Sequence, residues 1–399
     1  MNFNTVDKLS LQNKTVFLRL DLNVPLDGQG NITDDTRIVK ALPTLRHILK
    51  QTNKIVVASH LGRPKGKPVP SMSLEPVGRK LSELLNLELA FVKDYVQTPV
   101  DQLLHQLGKN RIILLENLRF YSQETENDKE FAQVLAKGID YYVSDAFGAL
   151  HRAHASVAAL AERFPKERRA IGFLVEQELK TLDKLKKGSK APYTVIIGGS
   201  KVSDKVGVLL NLVNHCNHVL IGGAMAYSFL KFQGTRVGTS LVEANVGSLI
   251  SSIYESAEAR KVSIHLPLDH VCAKTMDSTE TKVIEGDIPD AYAGFDIGPL
   301  TVDAYKKVIF ASKTIFWNGP LGVFERPAFR TGTSAIAKAI ADHDCYSVAG
   351  GGDSIAAINF AKVADKFTHI STGGGASLEY LEGKILPGLK VLFFKNFNI

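Results

Sequence analysis

Short apolar runs alternate with amphipathic stretches along the whole chain. The runs are rich in Val, Ile and Leu, which is typical of strands buried on both faces of a parallel sheet. They predict strands at residues 15–22, 55–59, 112–115, 141–144, 194–197, 218–221, 262–266, 314–317, 346–348 and 368–370. Apolar residues at helical spacing predict helices at 36–50, 74–85, 128–137, 204–215, 243–260, 332–342 and 355–364. The alternation predicts an α/β protein with doubly wound parallel sheets.

The length of 399 residues is too great for one ordinary core, so we expect two main lobes. The stretch 175–190, VEQELKTLDKLKKGSK, is highly charged and predicts a helix with little apolar face. Such a helix suits a solvated hinge between a lobe at 1–174 and a lobe at 191–375. The last stretch, 376–399, follows the final glycine-rich turn and is treated as a separate segment.

Composition excludes several function classes. Charged residues make up 22% of the chain and the net charge is +7, without the long basic runs of a nucleic-acid-binding protein. Only three cysteines occur, far apart and without a C-x-x-C pair, which fits a reducing compartment. The N-terminus lacks the apolar stretch of a secretion signal, and no apolar run is long enough to span a membrane. We therefore expect a cytoplasmic protein.

Basic and polar side chains follow the predicted strands of the first half. Ligands of open α/β sheets bind beyond the carboxyl ends of strands, and arginine suits phosphate and carboxylate groups. A surface ion pair could explain any one arginine, but not a set of them. The sequence therefore predicts a site for a small, multiply anionic substrate. The residues involved are Arg19, Asp21, Leu22, Asn23, Arg37, His60, Leu61, Gly62, Arg63, Arg119, His151, Arg152 and His154.

The H-x-x-H spacing of His151 and His154 also suits zinc. No third ligand lies nearby in the sequence, so hydrogen bonds to phosphate are favoured over a metal site.

The second half has glycine-rich turns after its strands, together with lysines. Lys201 and Lys205 lie four residues apart at a helix start, where two cations and free backbone N–H groups favour phosphate. The pair Gly222-Gly223 would let a flat ring approach the backbone. In Gly350-Gly351-Gly352-Asp353-Ser354 a helix start is combined with a carboxylate suited to Mg²⁺. Neither a P-loop nor a G-x-G-x-x-G fingerprint is present. These features predict a nucleotide-binding lobe.

Nine segments together resemble the phosphoglycerate kinase family, in the family's order. They are RLDLNVPLD, DDTRI, SHLGRPKG, LLENLRF, DAFGALHRAHAS, GGSKVSDK, WNGPLGVFE, GGGDS and STGGGAS. The resemblance runs from residue 13 to residue 389. It implies two Rossmann-like lobes, a hinge, a C-terminal segment that returns to the first lobe, and a monomer.

The resemblance also implies roles for individual residues. The 3-phosphoglycerate side comprises Asp21, Leu22, Asn23, Arg37, His60, Leu61, Gly62, Arg63, Arg119 and Arg152. The nucleotide side comprises Gly199, Ser200, Lys201, Lys205, Gly223, Gly294, Asn318, Glu325, Gly351, Gly352, Asp353 and Ser354. Glu325 would bind the ribose hydroxyls and Asp353 would hold Mg²⁺. Catalysis is expected to rest on Arg37, Lys201, Gly351 and Gly374.

The implied reaction is reversible phosphoryl transfer from 1,3-bisphosphoglycerate to MgADP, giving 3-phosphoglycerate and MgATP by direct in-line transfer on hinge closure. Partners would be these small molecules, with neither nucleic acid nor membrane. Departures from the family pattern are small: Leu118, Ala149-Leu150 and Ser354 replace frequent alternatives, and the tail 393–399 has no assigned function. A two-lobed anion-binding protein and another ATP-dependent carboxylate kinase or ligase remain open from the residues alone.

Overall fold

The computed structural model describes residues 3–98, 100–106, 112–187 and 189–393. The chain divides into two units. One comprises Met1–Leu179 together with Ile385–Ile399, and the other comprises Lys180–Lys384. Among the described residues, no helix is long and apolar enough to cross a membrane.

The first unit is built on a six-stranded parallel sheet. Its strands are β1 (Thr15–Leu20), β2 (Lys54–Ala58), β3 (Leu89–Val92), β4 (Ile112–Leu115), β5 (Tyr141–Asp145) and β6 (Arg169–Ile171), in the order β3-β4-β2-β1-β5-β6. The helices are α1 (Thr36–Leu49), α2 (Glu75–Leu85), α3 (Val100–Gln106), α4 (Ser122–Thr125), α5 (Lys129–Ala136), α6 (Ala159–Glu162) and α7 (Phe173–Lys186), and near the C-terminus α15 (Pro387–Lys390). All six residues of β1 are buried, as expected for a central strand covered on both faces.

The second unit repeats this plan. Its parallel sheet has β7 (Tyr193–Ile197), β8 (His218–Ile221), β9 (Ser263–His265), β13 (Thr314–Asn318), β14 (Tyr346–Gly350) and β15 (His369–Ile370), in the order β15-β14-β13-β7-β8-β9. A separate antiparallel sheet contains β10 (Asp269–Ala273), β11 (Lys282–Glu285) and β12 (Ala293–Ile297). The helices are α8 (Val206–Leu212), α9 (Met225–Phe232), α10 (Gly247–Ala259), α11 (Pro299–Ala311), α12 (Thr331–Ala341), α13 (Gly352–Phe360) and α14 (Gly375–Leu381).

The prediction of two α/β lobes with doubly wound parallel sheets is confirmed. The sequence patterns missed five strands. β3 and β6 are short edge strands of the first sheet, and β10, β11 and β12 form the antiparallel sheet. β6, β10, β11 and β12 each contain a charged residue, so they lack the continuous apolar run of a central strand. β3 is only half-buried, and β11 is mainly exposed.

The charged stretch at 175–190 is indeed helical, but the expectation of little apolar face is wrong. Helix α7 begins at Phe173 and ends at Lys186. Its side chains Val175, Leu179, Leu182 and Leu185 are all buried. Their spacing places them on one side of the helix, so the helix is amphipathic rather than solvated all round. The boundary between the two units falls inside this helix, and the predicted limits of the hinge and lobes stay predictions.

The described residues from Ile385 onward belong to the first unit, whereas residues 376–384 of the predicted C-terminal segment belong to the second. The backbone N–H of Gly388 donates to the carbonyl of Leu150 at 2.9 Å. A Cβ at Gly388 would come within 2.6 Å of Val157 and 2.7 Å of Leu150, so the contact requires glycine. The Phe3 and Phe393 rings stack with centroids 4.4 Å apart. Of the predicted tail 393–399, residues 394–399 lie outside the described residues.

Two buried carboxylates at strand ends anchor the N-termini of helices. Asp145, the last residue of β5, accepts a hydrogen bond from the N–H of Val175 in α7 at 3.0 Å. Asp296 in β12 accepts one from Gly332 in α12 at 2.7 Å. Burial raises the pKa of each carboxyl to about 7, and the backbone hydrogen bonds only partly oppose that rise. Near neutral pH each group is thus partly protonated in the folded protein.

We predict that Asp145→Asn changes how stability depends on pH. The folded pKa of about 7 lies above the ordinary value of 3.8, so the folded state binds more protons between these limits. The stabilisation from Asp145 is therefore full below about pH 4 and is lost as the pH rises through about 7. Asparagine imitates the neutral acid at every pH.

The measurement is the midpoint of thermal unfolding of wild type and variant, at acidic and at mildly alkaline pH. The variant should gain stability relative to wild type as the pH rises. Asp296 is present in both proteins, so its own titration cancels in the comparison. A difference between the two proteins that is the same at both pH values would contradict the prediction.

Candidate functional site

In the first unit, strand order reverses around β1, because the chain passes from β1 to one side of the sheet and later returns to pair β5 on the other. Ligand crevices of open α/β sheets form at such a point, outside the carboxyl ends. Asp21 lies there directly after β1 and is 6% exposed. It forms an ion pair with Arg37 at the start of α1. The carboxylate thus holds the guanidinium beside the carboxyl end of β1.

The turn after β2 is held by three side chains from two other segments, the one after β1 and the one after β4. The N–H of Gly62 donates to Asn23 Oδ1 at 2.8 Å. Asn117 Nδ2 donates to the carbonyl of Leu61 at 2.7 Å, and Arg119 Nη1 donates to the carbonyl of Gly62 at 2.8 Å. The structure therefore brings the predicted residues after β1, β2 and β4 into one hydrogen-bonded cluster. Leu22 joins it, since its N–H donates to Ser59 Oγ at 2.8 Å.

Cations crowd this end of the sheet and change the acidity of their neighbours. Burial, and then the charge of Arg19, lowers the pKa of Arg119 to about 10. Burial is also the main cause that lowers the pKa of His154 to about 3, followed by Arg119 and Arg19. His154 is therefore neutral at physiological pH. A neutral imidazole among guanidinium groups can donate a hydrogen bond without adding charge.

Arg63 and Arg152 are exposed to solvent, whereas Arg37 and Arg119 are only partly exposed. The expectation that all the arginines face the ligand is wrong for Arg19, whose side chain is completely buried. Its position on β1 is the reason, because every residue of that strand is covered on its face of the sheet. Sequence patterns do not distinguish a buried arginine from an exposed one at the end of a strand.

In the second unit, strand order reverses between β7 and β13. The turns after these strands lie against each other: the N–H of Gly198 donates to the carbonyl of Asn318 at 2.9 Å, and that of Gly199 to the carbonyl of Pro320 at 3.0 Å. A Cβ at Gly198 would overlap the Pro320 carbonyl, so this approach requires glycine. The two turns form the floor of the site.

Asn318 connects the turns after three strands. Its Nδ2 donates to the carbonyl of Gly350 at 2.6 Å, and its Oδ1 accepts from Lys205 Nζ. Gly351 follows with φ of +93°, a conformation that favours glycine, and precedes helix α13. Ser354, in the first turn of α13, accepts from the N–H of Gly319 at 2.5 Å. Lys205 is thereby held close to the N-terminus of α13.

A cavity of about 260 Å³ opens beside these turns. Its lining includes six of the predicted nucleotide residues, namely Gly199, Ser200, Gly223, Gly294, Glu325 and Asp353. Apolar side chains complete the walls, among them Leu241, Met276 and Val323. Leu241 is 63% exposed and Met276 46% exposed, which is unusual for large apolar side chains on a protein surface. An apolar cavity with glycine backbone on one side and carboxylates at its rim suits a ligand that has a flat ring and a polar substituent.

Gly294 is explained by the structure, although nothing in its sequence spacing marks it. A Cβ there would overlap the ring of Tyr227, which also lines the cavity. Tyr227, Leu241, Met276 and Phe295 were not predicted from the sequence, because no motif distinguishes them from ordinary core residues. The signal that could have found them is the exposure of Leu241 and Met276, which only the structure provides.

The remaining predicted residues lie around the cavity rather than in its lining. Lys201 and Gly352 are exposed, and Lys205 is partly buried. Burial lowers the pKa of Lys205, and the carboxylates of Asp204, Asp353 and Glu382 oppose that shift. Gly374 precedes α14 with φ of +53°. Each unit thus has its own candidate site: clustered cations in the first, and in the second an apolar cavity with cations and helix N-termini beside it.

Comparisons with known proteins agree with this chemistry. A sequence model of the family described as "Phosphoglycerate kinase" matches residues 6–384. A protein named phosphoglycerate kinase from Anaeromyxobacter sp. (strain K) is 50% identical over 394 residues, covering 98% of this chain and 99% of the relative. One of the same name from Koribacter versatilis is 46% identical over 398 residues, covering 97% of this chain and 98% of the relative.

Solved structures give the same result. The structure of phosphoglycerate kinase from Coxiella burnetii is similar with a TM-score of 0.87 and 39% identity, covering 98% of this chain and 99% of that one. The enzyme from Pyrococcus horikoshii OT3 has a TM-score of 0.79 and 33% identity, with 97% of both chains covered. Sequence and fold agree over almost the whole length, and on that basis this chain belongs to the phosphoglycerate kinase family.

Proposed function

We propose that this protein catalyses the family's reaction, the reversible transfer of a phosphoryl group from 1,3-bisphosphoglycerate to ADP. The observation that carries the proposal is the family match over residues 6–384. The charged residues of the family's motifs lie at the carboxyl ends of strands in both units. Family membership favours this enzyme over a non-catalytic anion-binding protein and over a kinase for another carboxylate. The protein acts as a cytoplasmic monomer on small molecules alone, without nucleic acid or membrane.

The first unit binds the phosphoglycerate. Its contacts come from Asp21, Leu22, Asn23, Arg37, His60, Leu61, Gly62, Arg63, Arg119 and Arg152. Arg63 and Arg152 are exposed and so accessible to the distal 3-phosphate, whereas Arg119 and His60 are more buried. Support comes from the hydrogen bonds that join Gly62 to Asn23 and to Arg119, because they fix the turn that carries His60 and Arg63. Binding energy from the remote phosphate would favour closure of the two units over their substrates.

The second unit binds the nucleotide. The apolar walls of the 260 Å³ cavity take the base and Glu325 takes the ribose hydroxyls. The phosphates lie along Gly199, Ser200, Lys201 and Lys205, towards the helix start at Gly351, Gly352, Asp353 and Ser354. Cations beside exposed backbone N–H groups are suited to phosphate. Gly223, Gly294 and Asn318 shape the floor of this site.

Transfer requires positioning and charge stabilisation more than covalent help. A β-phosphate oxygen of ADP attacks the phosphorus of the acyl phosphate, and the bond from phosphorus to the carboxyl oxygen breaks. No general base is needed, because the attacking oxygen is already anionic and the leaving carboxylate takes the electron pair. Arg37 and Lys201 stabilise the oxygens of the moving group, assisted by the N–H groups around Gly351 and Gly374.

Asp353 fits a Mg²⁺ ion bound mainly through substrate. The exposed carboxylate lies in the first turn of α13 and lines the cavity. In the described part of the chain, no three His, Cys, Asp or Glu side chains are grouped to hold a metal. Mg²⁺ commonly binds through one or two carboxylates, substrate phosphates and water. When bound, the ion would neutralise phosphate charge.

The direct test is a coupled assay for ATP formation from ADP and 1,3-bisphosphoglycerate, with and without Mg²⁺. We expect ATP formation that depends on both substrates and on the ion. Purified protein that binds both substrates but forms no ATP would contradict the proposed function.

We predict that Arg37→Ala lowers kcat by about 10²–10³-fold, the usual loss for removal of a group that stabilises transition-state charge. Steady-state kinetics with saturating substrates give the value. Arg46→Ala is the matched control. Arg46 lies exposed on the same helix, and its substitution removes the same charge. The control should keep the wild-type kcat.

Arg63→Ala provides the contrast, since an exposed arginine that holds the distal phosphate should mainly raise the KM for phosphoglycerate. If Arg37→Ala left kcat within about twofold of wild type and altered only KM, Arg37 would have no special role in the transition state.

We predict that Asp353→Asn raises the Mg²⁺ concentration needed for half-maximal activity by about 10- to 100-fold, the range for loss of a group that supports a metal site. Titration of activity with Mg²⁺ at fixed ADP gives this concentration. Asp303→Asn, an exposed carboxylate on α11, is the control and should leave the titration unchanged. Identical titrations for Asp353→Asn and wild type would remove Asp353 from the metal site.

A further inference from the structure

Arg19 is completely buried yet forms hydrogen bonds in three directions. Its Nε donates to Ser156 Oγ at 2.9 Å, its Nη1 donates to the carbonyl of Leu20, and its Nη2 lies 3.1 Å from His60 Nδ1. Buried arginine is rare unless its charge is compensated. Because no part of Arg19 is exposed, it acts on a bound ligand either through its charge alone or through a neighbouring group.

Glu124 supplies the compensating charge through Ser156. This carboxylate is also completely buried and accepts from the Ser156 N–H at 2.9 Å and from its hydroxyl at 2.6 Å. A guanidinium can only donate and a carboxylate only accept, so the Ser156 hydroxyl accepts from Arg19 and donates to Glu124. The direction of each hydrogen bond from Arg19 through Ser156 to Glu124 is therefore determined.

The same reasoning determines which nitrogen of His60 carries the proton. Arg19 Nη2 must donate, so His60 Nδ1 must accept with its lone pair. In a neutral imidazole the proton then lies on Nε2, the ring's other nitrogen. His60 is 5% exposed. Burial is the main cause that lowers its pKa well below the ordinary value. The charges of Arg19 in β1, Arg119 after β4 and Arg37 in α1 follow as causes, and His154 in the loop after β5 contributes least. The ring is therefore neutral.

We propose that Arg19 is a positioning residue that holds His60 in the Nε2–H tautomer, so that the ring donates a hydrogen bond to a phosphate oxygen of phosphoglycerate. The inference rests on the proposed function, because it assumes that His60 contacts that phosphate. Phosphate oxygens carry negative charge and accept hydrogen bonds. The opposite tautomer would turn a lone pair towards the anion and lose the hydrogen bond.

The first test measures the tautomer in the free protein by NMR of the imidazole nitrogens, with His60 assigned from the His60→Gln variant. We expect an unprotonated Nδ1 and a protonated Nε2 in wild type. In Arg19→Met we expect both tautomers, together with a ring that titrates closer to the ordinary range because one of the facing cations is gone. Wild-type protein with the proton on Nδ1 would overturn the proposal without any variant.

The second test is a double-mutant cycle on the KM for 3-phosphoglycerate, measured with ATP. At about pH 8, Arg19→Met should raise KM by the inverse of the fraction of its His60 ring in the Nε2–H form, which is about twofold for an equal mixture and about tenfold for a ring that is nine tenths Nδ1–H. His60→Gln retains an amide donor that needs no tautomer selection. Adding Arg19→Met to His60→Gln should therefore change KM much less. Equal, additive effects would show that Arg19 acts as a charge on its own, and would overturn the proposal.

The conservative variant Arg19→Lys separates positioning from a general loss of structure, because it keeps a charged donor at this place. It should recover part of the wild-type KM and also the Nε2–H tautomer of His60. A folded Arg19→Lys protein that has the wild-type tautomer but the KM of Arg19→Met would overturn the proposal.

Removing Arg19 leaves Glu124 buried without its cation, which could unfold the first unit. The double variant Arg19→Met/Glu124→Gln removes both charges and keeps the acceptor for Ser156, and it should show the same tautomer mixture. Different results would contradict the proposed function and the inference about Arg19. Absence of ATP-linked phosphoryl transfer in wild type would contradict the proposed function, whereas an active wild type whose His60 tautomer does not depend on Arg19 would contradict only this inference.

Discussion

Buried charge at the ends of strands is the constraint on which both candidate sites depend. A site for anions needs charged and polar groups at the carboxyl ends of a parallel sheet, where neighbouring helices and turns exclude water. An isolated buried charge is costly, so each one must be compensated. Arg19 is compensated by Glu124 through Ser156. Asp145 and Asp296 instead accept from N–H groups at the starts of helices. These hydrogen bonds compensate their charge only in part, because burial still raises the pKa of each carboxyl to about 7.

These compensating contacts also position the groups that face solvent. The ion pair with Asp21 holds Arg37 beside the end of β1. Asn23, Asn117 and Arg119 fix the turn that carries His60. In the second unit Asn318 has the corresponding role, because its amide joins Lys205 to the turn before α13. The exposed side chains are therefore supported by a layer of hydrogen-bonded polar groups that need not touch the ligand themselves.

Both units are built on a doubly wound sheet, but the groups at the carboxyl ends of their strands differ in chemistry. The first presents arginines, whose forked donors suit phosphate and carboxylate oxygens. The second brings glycine turns into contact at the reversal of strand order, which leaves backbone close to an apolar cavity. A substrate that consists mainly of charge and a nucleotide that combines a flat ring with phosphates would need these two kinds of surface.

Much of this could be predicted from the sequence. Continuous apolar runs gave the central strands, and the glycine, lysine and arginine positions after them gave candidate residues for both sites. Prediction failed where burial differed from what the local pattern indicates. Arg19 occupies a central strand and is buried beneath the site instead of facing the ligand. Helix α7 has a highly charged sequence, but its four apolar residues on one side are buried.

The sequence by itself determined the α/β class, the order of most strands and helices, and the chemical nature of the groups at strand ends, because periodicity and turn residues act locally. Only the tertiary structure decided which of those groups are exposed, which compensate each other, and which apolar side chains form the cavity. Burial and hydrogen bonding join residues far apart in the chain, such as Arg19 with Ser156 and Tyr227 with Gly294. No local pattern contains that information.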